Sequence, residues 1–563
     1  MELLKCAQCG STDMELQGYM VICRHCGSKY LLSGQGPEAS LKGKHYIERA
    51  KEAHLTGSKK FVSYTEKAIK YAPEDPEAWL YRMYALAEDR DAVRYADVLA
   101  ELTTKAGDNV LLFSDTDHLA EYKRAVYYWY LSFAIAIANN KQYLKIGNNR
   151  MALECWLAHL PEDDLTEEEK QRRKIVCNGL REAKAIQEEL MQKRISKNKL
   201  RDKFRGCLVG GAAGDALGYT VEFWGEKKIF ADFGENGITQ YRLIAGKAII
   251  SDDTQMTLFT ANALMTEAVR GVKDGMESLR YISYLPQCYE EWLLTQTEKY
   301  PIELNKYEHI SWLLKIPEMY AKRAPGNTCL AAIRDGCRGR MDSPINTSKG
   351  CGGVMRVAPI GLFFPKDRQT DVEPDILGAE AAALTHGHEM GYIPAAMLVH
   401  VIRELTYTDC SIKEAVESAK TACRKLFPEA GSMPGFLKLI DRAVALADQN
   451  ADDLEAIHKL GEGWTGDEAL AIAVFCALKY PDDMEKALTA AVNHKGDSDS
   501  TGSIAGNIVG AHIGYEKIPR KYKEGMELEK EIRTMAEDLF EVTRIDELSF
   551  IRGRELGNKY WSV

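Results

Sequence analysis

The sequence predicts a mainly α-helical protein with a small metal-bound module at its N-terminus. Three observations carry that expectation. From about Ala39 to Lys199 the chain is rich in Ala, Leu, Tyr, Glu and Lys and poor in glycine, the composition of one helix after another. Two glycine series, at 206, 210, 214 and 218 and at 502, 506, 510 and 514, keep an i, i+4 spacing that places each series on one helix face. Two oxygen-rich turns, Ser251-Asp252-Asp253-Thr254 and Asp497-Ser498-Asp499-Ser500-Thr501, each stand directly before an apolar run suited to a buried helix.

At 563 residues the chain is long for one domain. The expected division is a zinc ribbon over 1–35, a helical domain over 36–199, and a main domain with a C-terminal helical tail over 200–563. With 45% hydrophobic and 28% charged residues the composition is that of an ordinary soluble globular protein. A formal net charge of −10 argues against a generic nucleic-acid binder. The first residues, Met1 to Cys6, lack a basic stretch followed by an apolar one, so no signal peptide is expected. No run of about 20 apolar residues occurs, so no membrane partner is expected either. Of the 14 cysteines, four have metal spacing and ten are scattered, which fits a reducing, cytoplasmic setting.

Taking the chain in order, Cys6-Ala-Gln-Cys9 and Cys23-Arg-His-Cys26 form two CxxC pairs with thirteen residues between them, each followed by a glycine. Four thiolates at this spacing predict a closed tetrahedral site for one structural Zn²⁺. A pair of redox dithiols is the alternative, but no βαβ pattern surrounds them. Ribbons of this kind dock proteins or nucleic acids, so nucleic acid stays open as a partner at this module. Leu32 to Gly36 reads as a linker. Phe61 to Trp79 resembles the end of one tetratricopeptide repeat and the start of the next, with Tyr64 and Ala68 packing a helix pair and Pro73 breaking it. Three clean repeats are not found, so a degenerate repeat or a plain bundle is expected, and with it a surface for a protein partner. Glu162 to Lys174 reads as a solvated helix face, and basic Lys193 to Arg205 as a linker into the main domain.

In the main domain the two glycine series should belong to helices lying deep and close, against each other. Each glycine inside a helix costs about 0.5–1 kcal/mol, so eight of them point to a geometric need. Each oxygen-rich turn taken alone is explained as a helix N-cap. Carboxylates so close repel unless a cation sits between them, however, and the pair of turns points to one or two hard cations such as Mg²⁺, Mn²⁺ or Ca²⁺. Asn346 to Pro359 holds three glycines among small polar residues, either an anion-cradling nest or a flexible loop. Thr385-His386-Gly387-His388 opens a further helix, where one core and one surface histidine is the simpler reading. Gly461-Glu462-Gly463-Trp464-Thr465-Gly466 matches GxGxxG in form, but no strand precedes it and a dinucleotide site is rejected. Trp464 there either stacks on a base or sugar or packs in the core.

Read in order, Gly214-Asp215-Ala-Leu-Gly218 with Glu222, Ser251-Asp252-Asp253-Thr254, the Asn346 to Pro359 loop, Thr385-His386 and Gly496-Asp497-Ser498-Asp499-Ser500 resemble the ADP-ribosylglycohydrolase family, related to the dinitrogenase reductase-activating glycohydrolase. The resemblance covers roughly residues 200–545 and excludes the ribbon and helical regions. It implies an all-α domain with a binuclear Mg²⁺ or Mn²⁺ centre in an ADP-ribose cleft. Ser251, Asp252 and Asp253 match the first ligand set, and Asp497, Asp499 and Ser500 the second. Glu222 matches the acidic residue of a loop that covers the centre. Ser348, Gly350, Cys351 and Gly352 match the diphosphate loop, with His386 beside them as a substrate contact. Ser251 and Ser500 stand where relatives often have Thr, and Cys351 where Asn is frequent.

The implied activity is hydrolysis of a glycosidic bond at the ribose anomeric carbon, through an oxocarbenium-like state, on an ADP-ribosylated protein or other ADP-ribosylated target. Asp499, Glu222 and Asp253 are the candidate catalytic carboxyls. The alternative is a catalytically silent ADP-ribose reader that recruits partners through its ribbon and helical domain. A scaffold binding nucleic acid through the ribbon is the third reading, and the acidic net charge weighs against it. Arginine, serine, a nucleic-acid base or a small metabolite as acceptor would leave the same mark on the metal-type residues.

Overall fold

A computed structural model describes residue 9 and residues 12–17, 20–26, 28–31, 37–87, 96–141, 143–145, 147–274, 282–303, 309–366, 373–544 and 550–560. Cys6 and the 32–36 linker lie outside the described residues. The chain forms two compact units, Met1–Arg194 and Ile195–Val563. Among the described residues no helix is long and apolar enough to cross a membrane.

The first unit opens with three short antiparallel strands in the order β1 (Met14–Gln17), β2 (Met20–Cys23) and β3 (Lys29–Leu31). Met14 pairs with Cys23, and Met20 with Leu31. This hairpin brings Cys9 beside Cys23 and Cys26. Their donor atoms lie within 4.8 Å of one another, the one such group of three or more metal-ligating side chains among the described residues. Helices follow at Pro37–Leu55, Phe61–Tyr71, Pro76–Ala87, Ala96–Phe113, Leu119–Ala138 and Gly147–Ala158. The second ends two residues before Pro73, which cannot continue it, and buries Ala68, while Tyr64 is half-buried. Apolar faces at helical spacing meet in a core around Met83, Tyr130, Leu131 and Trp156, where the Trp156 indole N–H donates to Thr103 Oγ1 at 2.9 Å.

The boundary between the two units, Arg194–Ile195, falls within the basic residues 193–205. They form no break in the chain, however, but lie inside one helix, Glu167–Gly218. Between Leu180 and Arg205 there is neither Gly nor Pro, and Glu, Lys, Arg, Gln and Leu dominate, so intrinsic helix propensity carries the backbone through a stretch whose charge alone suggested a break.

The second unit is helical throughout, with no named strand among its described residues. The two glycine series do pack against each other, antiparallel. A Cβ on Gly214 would lie 1.9 Å from the Gly502 carbonyl oxygen, one on Gly210 2.4 Å from that of Gly506, and one on Gly510 2.0 Å from that of Gly206. The backbones of Glu167–Gly218 and Ser498–Ile513 are therefore in contact with no side chain between them. This close approach sets the C-terminal end of one helix, with Asp215, beside the N-terminal end of the other, with Asp497 and Asp499.

Candidate active site

The helix Asp252–Asp274 begins in the first oxygen-rich turn, and the turn's own hydroxyl caps it: Asp253 N donates to Ser251 Oγ at 3.1 Å. From outside, Asp215 fastens the same turn. Ser251 N donates to Asp215 Oδ1 at 2.9 Å, Thr254 N donates to Oδ2 at 3.1 Å, and the Thr254 hydroxyl donates to Oδ2 as well. The second turn is capped in the same manner, with Asp497 Oδ1 accepting from Ser500 N at 3.3 Å and Asp499 Oδ1 accepting from it at 3.0 Å. Gly496 before it has φ +142°, and a Cβ there would lie 1.9 Å from the Glu462 carbonyl oxygen, so the turn admits only glycine at this place. The two turns are joined directly: Ser500 Oγ donates to Asp253 Oδ1 at 3.2 Å. Both are thus N-caps, as each one alone suggested, and both also face one centre.

Asp215, Asp252, Asp253, Asp497 and Asp499 are buried and Glu222 is partly so. Burial, and then the charge of Asp499, pushes the Asp215 carboxyl up to about 7. The same two causes, joined by Asp497 and Asp252, push Glu222 up to about 11. Asp252 and Asp253 are held well above the usual carboxylate range by burial and then by Asp499. Asp499 itself is raised by burial and by Asp497 beside it. Asp499 is therefore the electrostatic hub of the cluster, the foremost charged neighbour of four other carboxyls. Asp253 Oδ2 and Glu222 Oε2 are buried with no hydrogen-bond partner. An oxygen-only donor set with orphaned carboxylate atoms suits a hard cation.

The Asn346 to Pro359 segment is an anchored loop. Asn346 Oδ1 accepts from Ser348 N and from Gly387 N, each at 3.0 Å, and its Nδ2 donates to the Thr385 carbonyl at 2.8 Å. Cys351 N donates to the Trp464 carbonyl at 3.2 Å, and Gly350 N to Ser348 Oγ at 3.3 Å. With Val354 N and Met355 N donating to the Cys351 carbonyl and Val357 N to that of Val354, six of the loop's N–H groups are engaged within the protein, and an anion there would meet the remaining donors. The Cys351 thiol donates to Asp497 Oδ2 at 2.7 Å, which ties the loop to the acidic centre.

His386 is buried behind this loop. A Cβ on Gly350 would come within 3.0 Å of its Nε2, and one on Gly352 within 3.1 Å of its Cε1, so both glycines make room for the ring. His388 instead caps the next helix, its Nδ1 accepting from Met390 N at 3.0 Å. Trp464 is 38% exposed and stacks on Phe223, with ring centroids 5.5 Å apart, so it is not a core residue.

The structure brings Glu222, the two oxygen-rich turns, the Ser348–Gly352 loop and His386 into one region. Reasoning from sequence missed Asp215 and Thr254 as organisers of the first turn. It also missed the service of the 461–466 loop, whose carbonyls at Glu462 and Trp464 accept from Asp497 N and Cys351 N. Asp215 was legible as the one acid within the glycine series, between Gly214 and Gly218. The 461–466 loop carried a signal that pointed to a different chemistry.

Fold and site together define a helical protein built around one buried acidic centre, set at two helix N-termini and flanked by an anchored glycine loop. The chain belongs to the ADP-ribosylglycohydrolase family, whose model matches residues 196–548. It is 25% identical over 356 residues to the ADP-ribosyl-[dinitrogen reductase] glycohydrolase of Rhodospirillum rubrum, covering 62% of this chain and 98% of that protein. It is 26% identical over 376 residues to ADP-ribosylhydrolase ARH3 of Danio rerio, covering 60% and 90%. A solved structure described as an ADP-ribosylglycohydrolase-related protein complex aligns at 20% identity with a TM-score of 0.40, over 62% of this chain and 99% of that one. Family membership makes the protein a glycohydrolase, an enzyme of hydrolytic ADP-ribose removal.

Proposed function

We propose that the protein is a divalent-cation-dependent hydrolase that frees ADP-ribose from a modified protein or other target by cleaving at the ribose anomeric carbon. One observation carries this reading: six carboxyl groups from three separate stretches converge with the hydroxyls of Ser251 and Ser500, and two of their oxygens have no partner. Uncompensated, each such buried charge costs several kcal/mol. Ser251, Asp252 and Asp253 on one side, and Asp497, Asp499 and Ser500 on the other, would hold two Mg²⁺ or Mn²⁺. Bound there, such ions lower the pKa of a water and polarise the ribose hydroxyls.

The chain's own residues do the rest. Ser348, Gly350, Cys351, Gly352 and His386 bind the diphosphate, so that binding energy remote from the reacting carbon positions the sugar. Once bound cations offset the repulsion and burial that otherwise keep them protonated, Asp499, at the electrostatic hub, and Glu222, with its orphaned oxygen, are the carboxyls placed to take a proton from the attacking water. Asp253, joined to Ser500, keeps the two turns in register. As the bond to the target loosens, positive charge develops at the anomeric carbon and the surrounding carboxylates stabilise it. In the first unit Cys9, Cys23 and Cys26, with Cys6, would hold one structural Zn²⁺, and the helices after them would select the target in the cytoplasm.

The test is release of ADP-ribose from a panel of modified substrates with Mg²⁺, with Mn²⁺ and with EDTA. Release is expected with metal, loss of it with EDTA, and a fall of about 10²–10⁴-fold in Asp499→Asn. Binding of ADP-ribose with no release under any metal would replace the hydrolase by a reader, the outcome that a thiol occupying Asp497 Oδ2 would favour.

A further inference from the structure

We infer that Arg356 and Thr385 are positioning residues that hold His386 as the tautomer protonated on Nε2, so that this N–H is offered at the Ser348–Gly352 loop as a donor to the ligand. The inference rests on the proposed function only for the identity of that ligand.

Arg356 is fully buried, and its guanidinium lies 4.4 Å from the Tyr289 ring centre. Its Nη2 donates to the Ala381 carbonyl at 3.0 Å and to Thr385 Oγ1 at 2.7 Å. A guanidinium has no lone pair to offer, so Thr385 Oγ1 is the acceptor in that bond. The one hydroxyl proton of Thr385 then has His386 Nδ1 at 2.8 Å, the Ala382 carbonyl at 3.3 Å and the Cys329 sulfur, a weak acceptor, to go to. Donation from a cation polarises the hydroxyl and strengthens its own donation, which favours the nearer acceptor. The electrostatics agree. A ring N–H aimed at an oxygen already facing a guanidinium would set two positive ends on one atom, whereas a lone pair there is stabilised. Nδ1 therefore accepts, and the ring proton sits on Nε2.

Burial, and then the Arg356 charge, lowers the His386 pKa to about 3, so the ring is neutral and the tautomer is the whole of its chemistry. Nε2 finds no hydrogen-bond acceptor among the described residues. It faces the space that Gly350 and Gly352 leave open for want of a Cβ. A neutral imidazole N–H presented there matches an anionic or hydroxyl oxygen of a bound ADP-ribose. A histidine free to flip would present a lone pair half the time and repel the same atom.

The test uses the full chain with ¹⁵N-labelled histidine, the His386 signals being assigned by their loss in His386→Gln. Long-range ¹H–¹⁵N spectra of the unliganded protein should show a pyrrole-type Nε2 and a pyridine-type Nδ1. The reverse pattern overturns the inference. Thr385→Val should erase the tautomer preference and weaken ADP-ribose binding about tenfold, the size of one hydrogen bond to a charged group, with kcat changed less than KM. Thr385→Ser should restore both. An unchanged His386 spectrum in Thr385→Val overturns the relay. Wild-type protein that shows the expected tautomer but binds no ADP-ribose would remove the proposed ligand and leave the relay standing.

Discussion

Asp253→Asn is expected to lower turnover by at least about 10²-fold and, in the presence of a chelator, to make the protein more stable. The two effects have one cause. Asp253 accepts from Ser500 Oγ through Oδ1, a bond that the amide oxygen of Asn can keep, while its Oδ2 is buried with no partner. Replacing Oδ2 by an NH₂ group puts a donor where a charge faced Asp499, Asp215, Asp252 and Asp497. Without cation that relief is worth on the order of 2 kcal/mol, the size of one unsatisfied buried group. Thermal melts in EDTA should place the variant above the wild type, and added Mg²⁺ or Mn²⁺ should shift it less. A variant melting below the wild type in EDTA would mean that the carboxylates are not in mutual repulsion.

The pH dependence follows with its sign. In the unfolded chain these carboxyls titrate near about 4. In the folded protein Asp215 is raised to about 7 and Glu222 to about 11, both by burial first and Asp499 second. Between the unfolded and folded values the native state holds protons that the unfolded state has released, so their contribution to stability is full below about 4 and is lost as pH rises through the folded values. Chelated wild-type protein should lose stability from about pH 4 upward, through about 7 for Asp215 and on towards about 11 for Glu222, and Asp253→Asn should show a shallower fall.

Gly214→Val is expected to prevent folding of the second unit. A Cβ at this position would lie 1.9 Å from the Gly502 carbonyl oxygen and 2.3 Å from its carbonyl carbon, both backbone atoms. No rotamer change can relieve the clash, and the helices can part only by breaking the adjoining contacts at Gly210–Gly506 and Gly206–Gly510. Overpacking a core with side chains to give way costs about 1–3 kcal/mol. Here the cost should exceed that range, and it would also pull Asp215 away from Ser251 and Thr254. Gly553→Ala serves as the contrast. It lies in the helix Phe550–Tyr560 with nothing within 4 Å of its Cβ position, so the change should stabilise by about 0.5–1 kcal/mol. Chemical unfolding of both variants, followed by far-UV circular dichroism, checks the pair. Equal stabilities would overturn the close-contact argument.

Much of this was legible in the chain itself, because the signals are short-range and chemically specific. The i, i+4 glycines announced two helices with bare faces, and the Ser-Asp-Asp-Thr and Asp-Ser-Asp-Ser turns announced capped helix starts rich in oxygen. The basic stretch Lys193 to Arg205 does mark the boundary between the two units, at Arg194–Ile195, but it does not break the backbone, whose continuity depends on Gly, Pro and propensity. The 461–466 loop stood out for its glycines and for Trp464. Its use lies in two carbonyls, and a backbone acceptor leaves no trace in residue identity.

The sequence by itself determined that two oxygen-rich turns would open two helices, and it singled out Asp252, Asp253, Asp497 and Asp499 there by their spacing and neighbours. Only the tertiary structure decided that Ser500 reaches Asp253 across 247 residues, that Asp215 fastens the first turn, and that Thr385 links a buried arginine to His386. The physical reason is range. Capping and helix periodicity act over a few residues and are written in local order. The meeting of two helix N-termini depends on backbone contact along Gly206 to Gly218, which exists only once the second unit has folded.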